Sequence, residues 1–408
     1  MNSSLEATAP IGGAISRPAS ASAAHTRVRL DSIDLLRGLV MVIMVLDHTR
    51  DFVGMSAMNP RDVHEPVLFL TRWITHFCAP VFILLAGVSA FLYGTRGRTT
   101  RELSAYLFTR GLWLVLLEMT LVRLGWTFNL RYDFVLLQVI WAIGASMVVL
   151  SALVYLPRRA VTGIALGLVL GHNLLDPIKA EQVGWLWHFL HQPDMLRPSD
   201  GLIVFALYPL IPWVGVMALG YALGPVFAMA PEARRKWLVR AGVGTILGFI
   251  LVRLTNWYGD PAPWALADGV VPTVLSFINC EKYPPSVLYL AVTLGPALVL
   301  LAYADRAADR ARGVAARVIV TFGRVPMIFY IAHIFLLHAI AVLVADAWLG
   351  DARWLFQGLP IISKPEDYGL TLTAVYAMWI AAVAALYPLC RWFAQLKQRR
   401  SDRWLTYL

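Results

Sequence analysis

Ten apolar runs constrain the fold of this 408-residue chain more than any other feature. Each run has roughly the 20 residues that an α-helix needs to cross the hydrocarbon core of a bilayer. The chain is 59% hydrophobic and only 15% charged, and its mean hydropathy is +0.64, a composition that would leave large apolar patches on a soluble protein. We therefore predict an all-α polytopic membrane protein, a bundle of about ten transmembrane helices. The runs cover residues 33–50, 67–93, 104–125, 134–156, 159–175, 201–223, 237–257, 285–303, 325–348 and 369–394.

The basic residues are distributed unevenly between the two sides of this bundle. With the N-terminus in the cytoplasm, loops and helix ends on that side carry 22 Lys and Arg residues, against seven on the opposite side. Such an excess is the positive-inside pattern, which predicts that both termini are cytoplasmic in an inner (plasma) membrane. Contact of the basic loops with anionic lipid also accounts for the net charge of +10, so no nucleic-acid partner is expected.

The segments outside the apolar runs are short. Residues 1–28 are rich in Ala and Ser and are predicted to be a disordered cytoplasmic tail, and residues 396–408 a basic cytoplasmic tail. The transmembrane domain is assigned to residues 29–395. The three cysteines are too few and too scattered for a disulfide framework or a zinc site, and no metal is predicted.

The first apolar run is unusual because it carries ionisable residues, among them Asp34, Arg37, Asp47 and His48. Charged side chains are costly in hydrocarbon, so they usually face a protein interior or a wet cavity and indicate a functional site. On a helix, Arg37 and His48 lie on one stripe, roughly 16 Å apart along the axis. One end of the stripe offers a guanidinium to an anion, and the other an imidazole that can exchange a proton near neutral pH.

Further polar residues lie within the other runs. Arg110 and Arg324 fall on the same side as Arg37, where they bind either an anion or lipid headgroups. Glu118 lies near mid-membrane. Pairing with an arginine is its default structural interpretation, and a proton relay is the alternative. The residues near the opposite face form either interhelical hydrogen bonds or the lining of an outward-opening cavity. These are His48, His76, Arg123, Gln138, His172, Asn173, Arg253 and Asn256, with His333 and His338 nearer the middle of their run.

Several motifs together resemble a known group of proteins. They are SIDLLRG, which opens the first run and contains Arg37, the ten residues between Arg37 and His48, APVFILLAGVSAFLY in the second run and GRVPMIFYIAHIFLLH in the ninth. Over residues 29–395 the chain resembles the bacterial relatives of heparan-alpha-glucosaminide N-acetyltransferase, which belong with the acyltransferase-3 proteins to a wider set of transmembrane acyltransferases.

This resemblance implies roles for individual residues. In the wider family the arginine and histidine of the motif are required for acyl transfer, which corresponds to Arg37 and His48. The eukaryotic branch has its proposed catalytic histidine in the following loop, where this chain has His64. His48 is favoured, because a histidine in a polar loop such as that around His64 is commonly just solvated. Asp47 and Asp51 are candidates to set the tautomer of His48.

The predicted function is transfer of an acyl group, with acetyl favoured, from cytoplasmic acyl-CoA to a hydroxyl or amine on the other side of the membrane. The acceptor is a glycan or another small molecule, and Arg37, Arg110 and Arg324 would bind the anionic CoA. His48 would act as general base or as nucleophile. The alternatives are a proton-coupled small-molecule transporter, since intramembrane His, Arg and Glu suit both functions, and a non-catalytic membrane subunit. A homodimer is compatible with the sequence.

Overall fold

The structure, a computed structural model, describes residues 31–199, 201–308, 313–400, 402 and 405, which belong to one compact unit beginning at Asp31. The predicted tail of residues 1–28 lies outside the described residues. The described chain is mostly helical, and residues 396–399 of the predicted C-terminal tail continue the last helix.

Seventeen helices can be traced in the described part of the chain. The first nine are α1 (Asp31–Val53), α2 (Pro66–Thr75), α3 (Cys78–Gly94), α4 (Thr100–Leu117), α5 (Arg123–Thr127), α6 (Val139–Leu153), α7 (Arg158–Gly171), α8 (Ala180–Val183) and α9 (Trp187–Leu190). The others are α10 (Leu210–Leu223), α11 (Pro231–Thr255), α12 (Val270–Ile278), α13 (Val287–Ala308), α14 (Val314–Arg324), α15 (Pro326–Leu349), α16 (Pro360–Ser363) and α17 (Leu372–Arg399). A π-helical turn, Glu118–Val122, joins α4 to α5.

Within the described residues, seven helices are long and apolar enough to cross a membrane. They are Pro66–Gly94, Thr100–Thr127, Leu210–Ala228, Pro231–Thr255, Val287–Asp305, Pro326–Leu349 and Leu372–Arg399. The other three predicted runs correspond to α1, α6 and α7. Of these, α1 has the length but carries many charges, whereas α6 and α7 have only 15 and 14 residues. Length and composition therefore support a polytopic membrane protein with seven candidate spans among the described residues, and they do not confirm the predicted count of about ten.

A small sheet departs from the all-helical prediction. β1 (Phe134–Leu137) pairs in parallel with β3 (Leu202–Ala206), which pairs antiparallel with β2 (Asp194–Ser199). β1 and β3 occupy the beginnings of two predicted runs, 134–156 and 201–223. Apolar runs rich in β-branched and aromatic residues are compatible with either a buried strand or a helix, and their periodicity does not distinguish the two. The sheet therefore shortens the helices that follow it.

α1 lies at the centre of the bundle. It packs against α2, α3, α13, α14, α15, α16 and α17, which explains how a helix with so many ionisable residues is kept away from lipid. Side chains of two of these helices donate hydrogen bonds to the backbone of α1. Trp379 on α17 donates to the carbonyl of Val42 at 2.8 Å, and Cys78 on α3 donates to the carbonyl of Val40 at 3.2 Å.

α1 and α14 approach so closely that only glycine fits at their contact. A Cβ atom added to Gly38 would lie 1.9 Å from the carbonyl oxygen of Ile319, and one added to Gly323 would lie 1.8 Å from that of Asp34. Both neighbours are backbone atoms, which cannot rotate out of the way as a side chain can. The two glycines therefore set the distance between the helices.

A buried ion pair ties three elements together near the start of α1. Arg234 on α11 donates to both carboxylate oxygens of Asp305 on α13 at 2.7 and 2.8 Å, and Ser32 donates to the same carboxylate at 3.2 Å. A bidentate pair of this kind satisfies two charges that would be costly to bury separately.

Replacing Gly323 by Ala is expected to destabilise the protein. The added methyl group must displace backbone of α1, and overpacking of this kind costs about 1–3 kcal/mol. The matched control is Gly244→Ala in α11, where nothing lies within 4 Å of the added Cβ and the substitution is expected to be neutral or slightly stabilising. Thermal denaturation in detergent should show a lower midpoint for Gly323→Ala alone. Equal midpoints for the two variants would contradict the close contact.

Candidate active site

Two cavities open along one face of α1. Arg37 and Met41 line the first, which we call the arginine cavity, and it has a volume of about 290 Å³. Met44 and His48 line the second, the histidine cavity, of about 100 Å³. The predicted stripe of α1 therefore faces open space at both of its ends.

The arginine cavity brings together all three arginines that the sequence analysis assigned to anion binding. Arg37 comes from α1, Arg110 from α4, and Arg324 from the end of α14. Tyr106 and Lys397 also line this cavity, and the guanidinium of Arg110 lies 5.9 Å from the centre of the Tyr106 ring. Four cationic side chains from four helices thus converge on one space, which suits a ligand with several negative charges.

Arg37 is held in place by contacts with three helices. Its guanidinium lies 3.2 Å from the carboxylate of Asp34, donates to the carbonyl of Gly323 at 3.3 Å and donates to the hydroxyl of Ser89 at 3.2 Å. Asp34 also lies 3.9 Å from Arg324, so one buried carboxylate stands between two of the three arginines. The contact with Asp34 agrees with the one-turn spacing in the sequence. These fixed partners orient the guanidinium before any ligand binds.

The histidine cavity has a polar lining drawn from distant parts of the chain. Its walls include His48, Asp47 and Asp51 of α1, together with Lys282 and Tyr283 from the loop between α12 and α13. Thr75, Cys78, Trp126, Gln138 and Tyr208 also line it. A cavity of about 100 Å³ holds only about three water molecules. Groups on its walls therefore face the same few atoms of any occupant.

His48 makes its closest side-chain contact with another histidine. Its Nδ1 atom lies 2.7 Å from Nε2 of His333 on α15, and Nδ1 of His333 lies 3.0 Å from the carbonyl oxygen of Phe329. The indole of Trp126 meets the His48 ring at a steep angle, with 5.0 Å between ring centres. His48 is thus fixed by a hydrogen bond on one side and an aromatic ring on another.

The two carboxylates next to His48 bind an arginine. Arg50 lies 2.7 Å from Asp47 and 2.8 Å from Asp51. The predicted partner of the His48 ring was one of these aspartates, whereas the structure places His333 at Nδ1. Asp47 remains close to the reaction space, because it lines the histidine cavity.

Lys282 adds a buried positive charge to the cavity wall. Its ammonium group lies 5.1 Å from the centre of the Tyr283 ring. Burial opposes the charge, but the neighbouring acidic groups Tyr283 and Asp47 leave the pKa of Lys282 above its usual value. The lysine thus keeps its positive charge beside the carboxylate of Asp47.

His64, the second histidine considered for catalysis, lies elsewhere. It is exposed in the loop between α1 and α2, where its backbone N–H donates to Asp62 at 2.8 Å. Neither cavity includes it among the described residues that form the walls. The structure thus places His48 in a shaped polar cavity and His64 in a surface loop.

Several polar residues that were expected to line an outward cavity have structural roles. Arg123 donates to the carbonyls of Phe134 and Asn129 and fixes the turn before β1. Arg253 donates to four backbone carbonyls in the segment that follows α11, those of Ala262, Ser276, Phe277 and Asn279. Backbone carbonyls are thus the main hydrogen-bond partners of these two guanidinium groups, and the carboxylates of Asp133 and Asp260 lie 3.8 and 3.7 Å from them.

Glu118 also has an unexpected partner. Its carboxylate accepts hydrogen bonds from the backbone N–H groups of Gln138 and Trp141, at 3.2 and 3.1 Å, at the start of α6. The positive end of a helix stabilises a negative group in this position. The carboxylate of Glu118 therefore pairs with the start of α6 and not with the expected arginine. It caps α6 and thereby positions Gln138 and Val139 beside the histidine cavity.

The two cavities share two wall residues, and we call the place where these side chains lie the junction. Phe82 on α3 and Val139 on α6 line both of them, so these side chains separate the two spaces. A molecule extending from the arginines to His48 must pass these two residues.

Sequence reasoning missed how several of these residues cooperate. His333 was noted as a polar residue in the GRVPMIFYIAHIFLLH segment, but its partner lies 285 positions away. Lys282 and Tyr283 gave no signal, because a lysine and a tyrosine in a loop are unremarkable in a sequence, and Phe82 lies in the APVFILLAGVSAFLY motif but was not singled out. Among the described residues, no group of three or more His, Cys, Asp or Glu side chains is arranged to hold a metal ion.

Apolar helices around cavities lined by arginines and by a histidine are the features of an integral membrane protein with a polar site inside its helix bundle. A family model identifies the class more closely: heparan-alpha-glucosaminide N-acetyltransferase, catalytic, matches residues 29–259, more than half of the chain. The chain therefore belongs to this family of transmembrane acetyltransferases, which generally use acetyl-CoA as donor. A comparison with individual curated proteins gives no match.

The match confirms the resemblance drawn from the sequence motifs. It covers α1, with Arg37 and His48, and continues through α11. Arg324 and His333 lie beyond the matched residues, and their place in the site rests on the geometry alone.

Proposed function

We propose that this protein transfers an acetyl group from acyl-CoA, held in the arginine cavity, to a small glycan-like acceptor whose reacting hydroxyl or amine enters the histidine cavity. The observation that carries the proposal is the arrangement along α1: Arg37 and His48 face two cavities whose walls share Phe82 and Val139. Family membership favours acyl transfer over proton-coupled transport, which the intramembrane charges alone would also suit.

The donor would bind with its phosphates near the arginines. Arg37, Arg110 and Arg324 offer planar guanidinium groups that match phosphate oxygens. The thin pantetheine arm would then extend along α1 past Phe82 and Val139. The separation of Arg37 and His48, roughly 16 Å along the helix axis, is a distance that an extended chain of this kind can span.

His48 would perform the proton transfers. As general base it removes the proton of the acceptor hydroxyl or amine while the acceptor oxygen or nitrogen attacks the thioester carbon. The carbon–sulfur bond then breaks, and the protonated imidazole returns the proton to the leaving sulfur. Alternatively, His48 attacks the thioester itself and carries the acetyl group transiently. Lys282 stands on the same small cavity wall, where a cation stabilises the negative charge that develops on the thioester oxygen.

The small histidine cavity supports acetyl as the transferred group, because its volume of about 100 Å³ leaves little space for a longer chain. The charge asymmetry of the loops supports a cytoplasmic arginine cavity in a bacterial inner membrane, with both termini cytoplasmic and the acceptor on the opposite side. Acyl-CoA made in the cytoplasm would then serve an acceptor outside it.

Removing the Arg37 guanidinium should weaken donor binding. A hydrogen bond to a charged group is worth about 1.5–3 kcal/mol, so Arg37→Ala should lower acetyl-CoA affinity by roughly 10- to 100-fold, and Arg37→Lys by less. Isothermal titration with acetyl-CoA measures this effect, which should shrink at high salt. Arg159→Ala, at an exposed arginine outside the cavity, is the matched control. Unchanged affinity in a folded Arg37→Ala protein would remove Arg37 from the donor site.

Separate substitution of the two histidines tests the reaction itself. His48→Ala should lower acetyl transfer by ~10²–10⁴-fold, the contribution of a general base, while acetyl-CoA affinity and thermal stability change little. His64→Ala should leave the rate nearly unchanged. Turnover of labelled acetyl-CoA with a panel of amino sugars and polyols measures both. The reverse result, an active His48→Ala and an inactive His64→Ala, would transfer the catalytic role to the loop, as in the eukaryotic branch.

Phe82 should control which acyl groups reach His48. Phe82→Ala widens the junction, so the rate with butyryl-CoA relative to acetyl-CoA should rise by roughly tenfold or more, the usual discrimination of an apolar pocket for a few methylene groups. Phe82→Trp should slow transfer and leave CoA affinity intact. Phe108→Ala, at an exposed phenylalanine on α4, serves as control. An unchanged chain-length profile in Phe82→Ala would show that the acyl arm takes another route.

A further inference from the structure

The hydrogen bonds of His333 define which of its nitrogens carries hydrogen. Its Nδ1 atom lies 3.0 Å from the backbone carbonyl oxygen of Phe329, one helical turn earlier on α15. A carbonyl oxygen can only accept, so Nδ1 of His333 must be the donor. In a neutral imidazole the other nitrogen, Nε2, then carries a lone pair and can only accept.

This assignment determines the state of His48. Nε2 of His333 lies 2.7 Å from Nδ1 of His48, and it needs a donor at that distance. Nδ1 of His48 must therefore carry hydrogen, and the lone pair of its neutral ring lies on Nε2. The described residues provide no hydrogen-bond partner for this Nε2, and the His48 ring lines the histidine cavity. The basic nitrogen is thus left available to an acceptor molecule.

We propose that His333 is the positioning residue that selects the reactive tautomer of His48. The inference rests on the proposed function and deepens it by assigning a role to a residue outside the family match. The neighbouring carboxylates do not fill this role, because Asp47 and Asp51 bind Arg50 at 2.7 and 2.8 Å. The Phe329 carbonyl thus orients the His333 ring, and the His333 ring in turn orients His48.

The surroundings of His333 suit such a role. The residue is fully buried, and its ring packs between those of Phe329 and Tyr330, at 5.8 and 5.4 Å between ring centres. A side chain packed this tightly keeps one rotamer and so holds His48 at a fixed angle.

A neutral partner also has a consequence for the reaction. When His48 takes a proton from the acceptor it becomes a cation whose Nδ1–H still points to His333 rather than to a carboxylate. A neutral partner stabilises this cation less than a carboxylate would, so the proton passes more readily to the leaving sulfur. The histidine pair thus favours the return of the proton to the leaving sulfur.

Replacing His333 by Gln or by Asn distinguishes a positioning role of this residue from a purely structural one. In His333→Gln the amide oxygen can reach the place of Nε2 and accept from His48, whereas in His333→Asn the shorter side chain reaches only the place of Nδ1. Both variants keep a polar group of similar size in the buried site. The turnover rate of acetyl transfer should fall on the order of 10²-fold or more in His333→Asn and much less in His333→Gln. Acetyl-CoA affinity and the thermal midpoint should be similar in both.

The tautomer itself can be observed without turnover. Protein labelled with ¹⁵N-histidine gives distinct signals for protonated and unprotonated imidazole nitrogens, and the signals of His48 are those lost in His48→Ala. The wild type and His333→Gln should show His48 with hydrogen on Nδ1, and His333→Asn a mixture of tautomers.

Each outcome of these measurements is decisive. Hydrogen on Nε2 of His48 in the wild type, or equal rates in the Gln and Asn variants, would overturn the positioning role. If the wild-type protein transferred no acetyl group, the proposed function would fail, whereas the spectra would still decide whether His333 sets the tautomer of His48.

Discussion

The structure depends on the burial of one highly charged helix. α1 carries Asp31, Asp34, Arg37, Asp47, His48, Arg50 and Asp51, which lipid could not accommodate without a large energetic cost. The bundle meets this constraint by surrounding α1 with seven other helices and by giving its charges partners within the protein: Asp34 with Arg37, Asp31 with Arg324, and Arg50 with two aspartates. Both cavities border this helix: Arg37 lines the arginine cavity, and Asp47 and His48 line the histidine cavity.

Much of the fold was predictable because membrane helices have a strong sequence signal. The long runs became helices near the predicted bounds, and Arg37 and His48 lie on one face of α1 as their spacing required. The runs at 134–156 and 201–223 were less predictable, since their first residues pair with each other as β1 and β3. Strand pairing between segments about 70 residues apart depends on tertiary contacts, and these contacts cannot be predicted from the hydrophobicity of either segment.

The site was predictable in part, because charged residues inside an apolar run are also a strong sequence signal. Charged residues inside a predicted span indicate that something polar is nearby, but not whether the partner is a ligand or the backbone. Arg37 and Arg110 face a cavity, whereas Arg123 and Arg253, which have the same sequence signal, bind backbone carbonyls in neighbouring loops. His333 could be recognised only when α15 was seen against α1, because nothing in a sequence shows that residues 48 and 333 are neighbours.

The junction at Phe82 and Val139 also has an electrical consequence. If solvent reaches both cavities, these two side chains form most of the insulating layer, and the membrane potential falls across a few ångströms instead of the whole bilayer. Moving one charge through that layer costs about 2.3 kcal/mol per 100 mV. Under the proposed reaction the thioester arm enters uncharged, and a thiolate would have to leave against this field. Return of the proton from His48 to sulfur makes the departing arm neutral, so the voltage neither drives nor opposes the exchange of donor and product.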